Sequence, residues 1–160
     1  MPGRSTAQAF ANVVNRVKGI QGSGSGHFTN LENRVYTRHW LPEQQKAAFP
    51  YSCVLVMPEP NAPIHDEGNL IGDRFRVAVI VYLPETQTAE VTQSAVEAAL
   101  KFKDDVFDVL LGDEYLSGQA ESVLIASWTV EAGEPPEREY ARCLVIAEVH
   151  QKLGPEVYGP

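Results

Sequence analysis

The chain has 160 residues, of which 44% are hydrophobic and 21% are charged, a composition typical of one folded domain. Thirteen Lys and Arg stand against 21 Asp and Glu, so the formal net charge is −8. This balance argues against a general nucleic-acid binder, which needs cations to displace counterions from phosphate. No apolar run approaches the ~20 residues of a transmembrane helix, and residues 1–6 lack the apolar core of a signal peptide. With only two cysteines, the sequence predicts a soluble protein of the reducing cytoplasm without a disulfide framework.

The first half of the chain is predicted to contain one helix and two short strands. Apolar residues recur at three- and four-residue spacing over 6–20, which predicts an amphipathic helix. The Gly- and Ser-rich segment 21–27 has the composition of a flexible loop. Strands are predicted over 33–40 and 51–57. Three prolines and two glycines in 58–72 predict a long structureless loop.

The second half is predicted to contain one helix and three strands. Strict alternation of apolar residues predicts a strand over 74–83. A helix follows over 92–111, with Thr92 or Ser94 as its N-cap. Two further strands over 121–130 and 139–149 are joined by a short polar segment, which predicts an antiparallel hairpin. The inward face of the helix is predicted to hold Val96, Ala99, Leu100, Val106, Phe107 and Leu110.

This order of elements predicts a single α+β domain. We expect one mixed or antiparallel sheet of about four to five strands, with two main helices packed mostly on one face. The core is expected within residues 6–150, and residues 151–160 are expected to form a loose tail.

The sequence contains no strong catalytic or metal-binding motif. The Gly/Ser segment lacks the Lys and the preceding strand of a phosphate-binding loop. No two histidines have the spacing of a zinc site, and His65-Asp66-Glu67 is more typical of the polar crest of a loop. Cys53 and Cys143 lie in apolar runs, as buried inert thiols do. We therefore expect no catalytic residue, metal or cofactor, although a site assembled from separate segments stays open.

The element order resembles that of a known family. After the first helix come Arg34-Val35-Tyr36-Thr37 and a strand flanked by prolines over 50–58; later, a strand over 74–79 begins with arginines. After the second helix, Leu116-Ser117-Gly118 matches a leucine, small residue and glycine turn. In these features residues 6–150 resemble the tail terminator proteins of long-tailed bacteriophages, also called tail completion or minor tail proteins. The segments 21–27 and 58–72 have no counterpart in that pattern.

The resemblance implies a structural virion protein and no enzyme. Proteins of this family form a hexameric ring on the completed tail tube, end its growth and present the surface that joins the tail to the head connector. The implied partners are further copies of the chain, the tail tube protein and a head–tail connector or neck protein. Phage DNA would pass through without sequence-specific binding, no membrane would be involved, and the protein would assemble in the host cytoplasm before residing at the head-proximal end of the tail.

Two other functions stay open. One is a head completion or neck connector protein, which also forms rings. The other, from a different class, is a small enzyme or ligand-binding domain with a site built from loops.

Large apolar residues in or beside the predicted loops are candidates for the ring or partner interface, because a monomer would leave them in water. They are Phe28, Trp40, Phe49, Ile64 and Leu70.

The acidic residues are concentrated at the C-terminal end. Residues 1–76 carry a net charge of +2 and residues 77–160 a net charge of −10. Such a bias can serve solubility, or it can line a ring lumen through which DNA slides without being held. On the second helix, Asp104, Asp105 and Asp108 are expected to form a solvated face rather than a carboxylate site. Two sets of acidic residues are competing candidates for the lumen. They are the helix stripe Glu97, Asp104 and Asp108 and the hairpin connection Glu131, Glu134 and Glu137. For both sets, the outer surface of the ring is the rival location.

Overall fold

The described parts of the computed structural model of the protein are residues 6–38, 50–58, 61–84, 89–112, 121–132 and 140–152. Within them the α+β prediction is confirmed, with two α-helices, and the sheet has six strands, more than the four to five expected. No helix in these ranges is long and apolar enough to cross a membrane. The elements in chain order are α1 (Thr6–Lys18), a 3-10 turn (Gly22–Ser25), β1 (Val35–Tyr36), β2 (Tyr51–Val56), β3 (Ala62–Asp66), β4 (Asn69–Pro84), α2 (Ala89–Leu111), β5 (Glu121–Ala132) and β6 (Tyr140–Lys152).

The six strands form one mixed sheet in the order β1-β2-β4-β6-β5. The 16-residue strand β4 is its centre: β6 pairs with one side of it over residues 72–84, while β2 and β3 share the other side. Only β1 and β2 run parallel among these strands. The predicted antiparallel pairing of the last two strands is confirmed, with a bulge between Ile125 and Ser127.

Both helices pack on one face of the sheet, as predicted. Because side chains alternate along a strand, Phe75, Val77, Val79 and Val81 of β4 point to this helix face and are buried against α1 and α2. Phe102 of α2 is fully buried in this core. Each such side chain contributes about 1.5–3 kcal/mol relative to its exposure to water.

The opposite, outer face of the sheet carries a second apolar cluster. Tyr51 and Tyr82 stack with ring centroids 5.0 Å apart, and Ile80 and Ile146 are buried beside them. The strands are therefore apolar on both faces over this part of the sheet. That pattern explains why the sequence around Ile80 reads as a nearly continuous apolar run.

The predicted loop over 58–72 is wrong. Residues 62–66 form β3 and residues 69–72 form the first part of β4, joined by the two-residue turn Glu67–Gly68. Both turn residues have positive φ, 50° and 82°, as a type I′ turn requires to match the twist of the strands. No described strand pairs with the edge of β3 that faces away from β4. Pro63 lies in this edge strand, where its missing N–H costs no hydrogen bond of the sheet.

Other boundaries also differ from the prediction. The helix α2 begins at Ala89, so Thr92 and Ser94 lie inside the helix instead of capping it. Residue 151 does not begin a loose tail: Gln151 belongs to β6 and is fully buried. The predicted strand over 33–40 is described only to residue 38 and is limited to the short β1.

The inward face of α2 is shifted from its predicted position. Ala99, Val106 and Leu110 are buried as predicted, and the stripe continues through Phe102. Leu100 is 37% exposed because it lies about 100° around the helix from Ala99. Val96 and Phe107 lie at the half-buried borders of the stripe.

Candidate functional site

The Gly- and Ser-rich segment is fastened to α2 by a buried carboxylate. Asp105 is 3% exposed; its Oδ1 accepts a hydrogen bond from the backbone N–H of Phe28 at 3.0 Å, and its Oδ2 accepts one from Thr29 at 2.8 Å. The expected solvated face is therefore wrong for Asp105. Backbone hydrogen bonds from Gly22 to Thr29 and from Leu31 to Ile20 close the segment on itself.

A second contact between this segment and α2 runs through His27. Its Nδ1 lies 2.8 Å from the hydroxyl oxygen of Ser25, and its Nε2 lies 2.9 Å from Oδ2 of Asp108. A serine, a histidine and an aspartate are thus joined in one chain of hydrogen bonds. Sequence reasoning missed this chain because Asp108 lies 81 positions from His27.

The geometry of these hydrogen bonds suits a structural contact better than a catalytic triad. The Ser25 hydroxyl also accepts from the backbone N–H of Gln21 at 3.0 Å and lies 2.9 Å from the carbonyl oxygen of Gly22, so it takes part in its own turn. The Asp108 side chain is 71% exposed, whereas the aspartate that orients a catalytic histidine is normally buried. The contacts therefore hold the loop in place.

Phe28 projects from this fastened segment. Its side chain is 69% exposed although its own backbone and that of Thr29 are bound to Asp105. The Lys101 ammonium lies 5.7 Å from the ring centroid. An aromatic side chain held outward by an ordered backbone loses little entropy on binding, which is typical of an interface anchor.

The hairpin of β3 and β4 lies at the end of the sheet where β4 begins, and its residues 69–71 have no described partner in β6. We call residues 62–71 the hairpin arm; apart from Asp66 and Ile71, whose side chains are outside the description, every residue in it is exposed or half-buried. Leu70 is 36% exposed and Ile64 is half-buried. Both therefore lie in strands, not in the predicted loop.

At the base of the arm, the outer face carries a charged cluster. The Glu148 carboxylate lies 2.7 Å from Nε2 of His150, 3.3 Å from Nε of Arg76 and 4.0 Å from Nε of Arg74. The hydrogen bond with His150, followed by that with Arg76 and the charges nearby, holds the pKa of Glu148 below its ordinary 4.5 despite partial burial. We call Arg74, Arg76, Glu148 and His150 the basic patch, since two permanent cations share one carboxylate.

Two exposed apolar side chains on β5 were not predicted. Leu124, opposite Glu148 on the outer face, is 55% exposed, and Trp128 is 43% exposed. The Lys103 ammonium lies 4.7 Å from the Trp128 ring centroid and covers part of it. The bulge after Ile125 breaks the alternation, so the sequence pattern does not show which residues of β5 face water.

The predicted acidic stripe on α2 is exposed at Glu97, Asp104 and Asp108. Asp104 forms an ion pair with Lys103 at 2.8 Å, and Asp108 contacts His27. In the other acidic set, Glu131 is exposed and pairs with Arg142. Placement at a lumen stays a prediction for both sets. The remaining predicted residues, Trp40, Phe49, Leu116, Ser117, Gly118, Glu134 and Glu137, lie outside the described residues.

Cys53 and Cys143 are both buried and form no disulfide, as predicted. Burial raises the pKa of the Cys143 thiol to about 12, so that thiol is neutral at physiological pH and a poor nucleophile. His65 and Glu67 are exposed on the hairpin arm. Across the described ranges, no three His, Cys, Asp or Glu side chains come together as metal ligands.

Comparison with known proteins adds no assignment to this geometry. No protein-family model matches the chain, and no curated protein matches it.

Proposed function

We propose that the chain is a structural virion protein of the tail terminator type, which caps a completed phage tail tube as a hexameric ring. In this role it ends tube polymerisation and forms the surface that joins the tail to the head connector. Its partners are further copies of itself, the tail tube protein and the connector, and its location is the head-proximal end of the tail. The function needs complementary surfaces and no bond chemistry.

The hairpin arm is the observation that carries this proposal. An isolated two-stranded hairpin is marginally stable in water, and this one has no described side chain that is fully buried. Half-buried Ile64 and exposed Leu70 give it apolar surface that a partner can cover. A hairpin that exposes apolar side chains supports a role in assembly.

A ring also requires each subunit to have two unlike contact surfaces. Head-to-tail contacts close after a fixed rotation only when one surface fits a different surface on the next copy. The arm and basic patch lie at one end of the outer face, whereas Phe28 and the acidic stripe lie on the helix side. This difference between the two sides supports head-to-tail assembly.

The rival enzyme function has the Ser25–His27–Asp108 chain as its best candidate site. Its hydroxyl is engaged in a turn and its carboxylate is exposed, so the geometry favours the structural role. The rival neck-connector function predicts the same kind of ring at a different attachment point. Imaging of particles therefore has to separate these functions.

The decisive experiment is negative-stain imaging of phage particles assembled without this protein. The proposal predicts tails of uncontrolled length that are not joined to heads. Full heads beside free tails of normal length would indicate the neck connector, and normal particles would contradict both structural functions. Mass photometry of tube-bound protein should give six copies for each tube end, and a single bound copy would contradict the ring.

A variant pair tests the contribution of the arm. The double change Ile64→Asp and Leu70→Asp should reproduce the defect of the deletion, because it places charge on the apolar surface of the arm. The matched control is His65→Ser with Glu67→Ser, which changes exposed polar positions of the same arm. Equal assembly by the two variants would show that the apolar surface is not used.

A further inference from the structure

We propose that the basic patch on the outer face receives the acidic α2 stripe of a neighbouring copy, and that this contact joins the subunits head to tail. The inference rests on the proposed ring and names its contact. The proposed contact places Glu97, Asp104 and Asp108 between subunits. Of the two acidic sets, it leaves the β5–β6 connection as the candidate for the ring lumen.

The basic patch carries a net positive charge. Arg74 and Arg76 both approach the single carboxylate of Glu148, and the Arg74 side chain remains 49% exposed. The patch therefore presents a positive charge on a chain whose net charge is −8. Such a site selects an acidic partner surface, and this chain itself has one.

The acidic stripe follows one side of α2. Glu97, Asp104 and Asp108 are exposed and separated by seven and four residues, which aligns them over about 17 Å of helix. The exposed Lys101 lies in the same row, Asp104 pairs with Lys103 and Asp108 contacts His27. The row therefore carries a small net negative charge, which suits a patch in which two arginines share one carboxylate.

The two charged surfaces lie on different sides of the sheet. The helix α2 packs on the helix face of the sheet, whereas the basic patch lies on the outer face. One copy can therefore offer its stripe to the patch of the next while its own patch stays free. This is a heterologous contact, the kind from which closed rings are built.

Apolar side chains lie close to both charged surfaces. Leu124 is 55% exposed and lies opposite Glu148 in the sheet. On the other side, Phe28 is 69% exposed and follows His27, which is bound to Asp108. Buried apolar groups beside matched charges supply affinity, while the charges set orientation.

The test is a charge-reversal experiment with the full chain at low salt, read by analytical ultracentrifugation. Variant A is Arg74→Glu, and variant B is Glu97→Lys with Asp104→Lys; all three positions are exposed, and circular dichroism checks the fold. Each variant alone should associate roughly a hundredfold more weakly than wild type, because like charges face each other in its contact. The control Lys18→Glu reverses an exposed charge on α1 outside both surfaces and should associate like wild type.

Mixing the variants gives the sharper result. In an equimolar mixture, the patch of A faces the stripe of B with opposite charges, and the patch of B faces the stripe of A as in wild type. The mixture should therefore regain wild-type assembly as alternating rings. A wild-type chain that stays monomeric at its highest soluble concentration, a variant that assembles normally, or a mixture that fails to recover would each overturn the contact.

The same variants separate this contact from the proposed function. If the mixture recovers assembly but particles lacking the protein have normal tails, the contact is right and the proposed function is wrong. If deletion causes long, unjoined tails while charge reversal changes nothing, the function stands and the contact lies elsewhere.

Discussion

The segment 21–30 and the hairpin arm have similar sequence signals but different structures. The first is rich in Gly and Ser, and the second lies within residues 58–72, which hold three prolines and two glycines, so both were predicted as loops. The first forms no strand but is fastened to α2 through Asp105 and His27, whereas the second is a β-hairpin, with a register shift between Ile64 and His65, and has no described side chain that is fully buried. Strand pairing and anchoring to the core are thus separate properties.

The largest effect is expected from Asp105→Ala. The change leaves the buried backbone N–H groups of Phe28 and Thr29 without their acceptor, which should lower the free energy of unfolding by about 2–3 kcal/mol. The neighbouring Asp104→Ala is the control, because that carboxylate is exposed and should change stability by less than about 0.5 kcal/mol. Urea denaturation measures both, and equal losses would show that Asp105 does not anchor the segment.

The two segments also show which elements of the fold can be predicted from the sequence. The helices and five of the six described strands were predicted from their apolar patterns, because each buries one face or both. The hairpin arm was missed because Pro63 and a Glu-Gly turn obscure the strand pattern. The stronger hairpin signal would be Asn-Gly or Asp-Gly, and Glu67 adopts a positive φ without that preference.

The site was harder to predict than the fold. The role of Asp105 depends on the backbone of Phe28 and Thr29, more than 70 positions away, and no local pattern reports that distance. The basic patch likewise joins Arg74 and Arg76 to Glu148 across neighbouring strands. The exposure of Phe28 was predicted correctly from its place in a loop, although its anchored backbone was not.

The next largest effect concerns the base of the arm. Replacing Glu148 by Gln removes the carboxylate that holds His150, Arg76 and Arg74 together, at a cost of about 1–2 kcal/mol at neutral pH. Because folding lowers the pKa of Glu148, its stabilisation is present above the unfolded pKa of about 4.5 and is lost as the pH falls through the folded pKa. Urea melts of wild type and variant should therefore differ at pH 7 and converge below pH 4.5. A constant difference across this range would contradict the assignment.

A smaller effect is expected at the turn of the arm. Gly68 has a φ of +82°, so Gly68→Ala should cost about 1 kcal/mol in backbone strain. Since no described side chain of the arm is fully buried, that cost should appear as local opening of the arm. Amides of the arm should exchange with deuterium about fivefold faster than in wild type. The amides of residues 77–81 should stay protected.

The matched control for Gly68 lies in the fastened segment. Gly24 has no positive φ and no atom within 4 Å of an added Cβ, so Gly24→Ala should be neutral or slightly stabilising. If Gly68→Ala instead destabilised the whole domain in urea, the arm would be part of the cooperative core. The two segments would then not differ in how firmly they are anchored to the core.

The smallest effects are expected from a pair of histidines, one in each segment. His27 has a mostly buried side chain and links Ser25 to Asp108, so His27→Ala should cost about 0.5–1 kcal/mol. His65 is exposed on the arm, and His65→Ala should leave stability unchanged within error. Both variants should assemble normally, because neither histidine has a chemical role in the proposed function. If His27→Ala abolished function in a protein that still folded, the Ser25–His27–Asp108 chain would have to act chemically, and the enzyme function would replace the structural one.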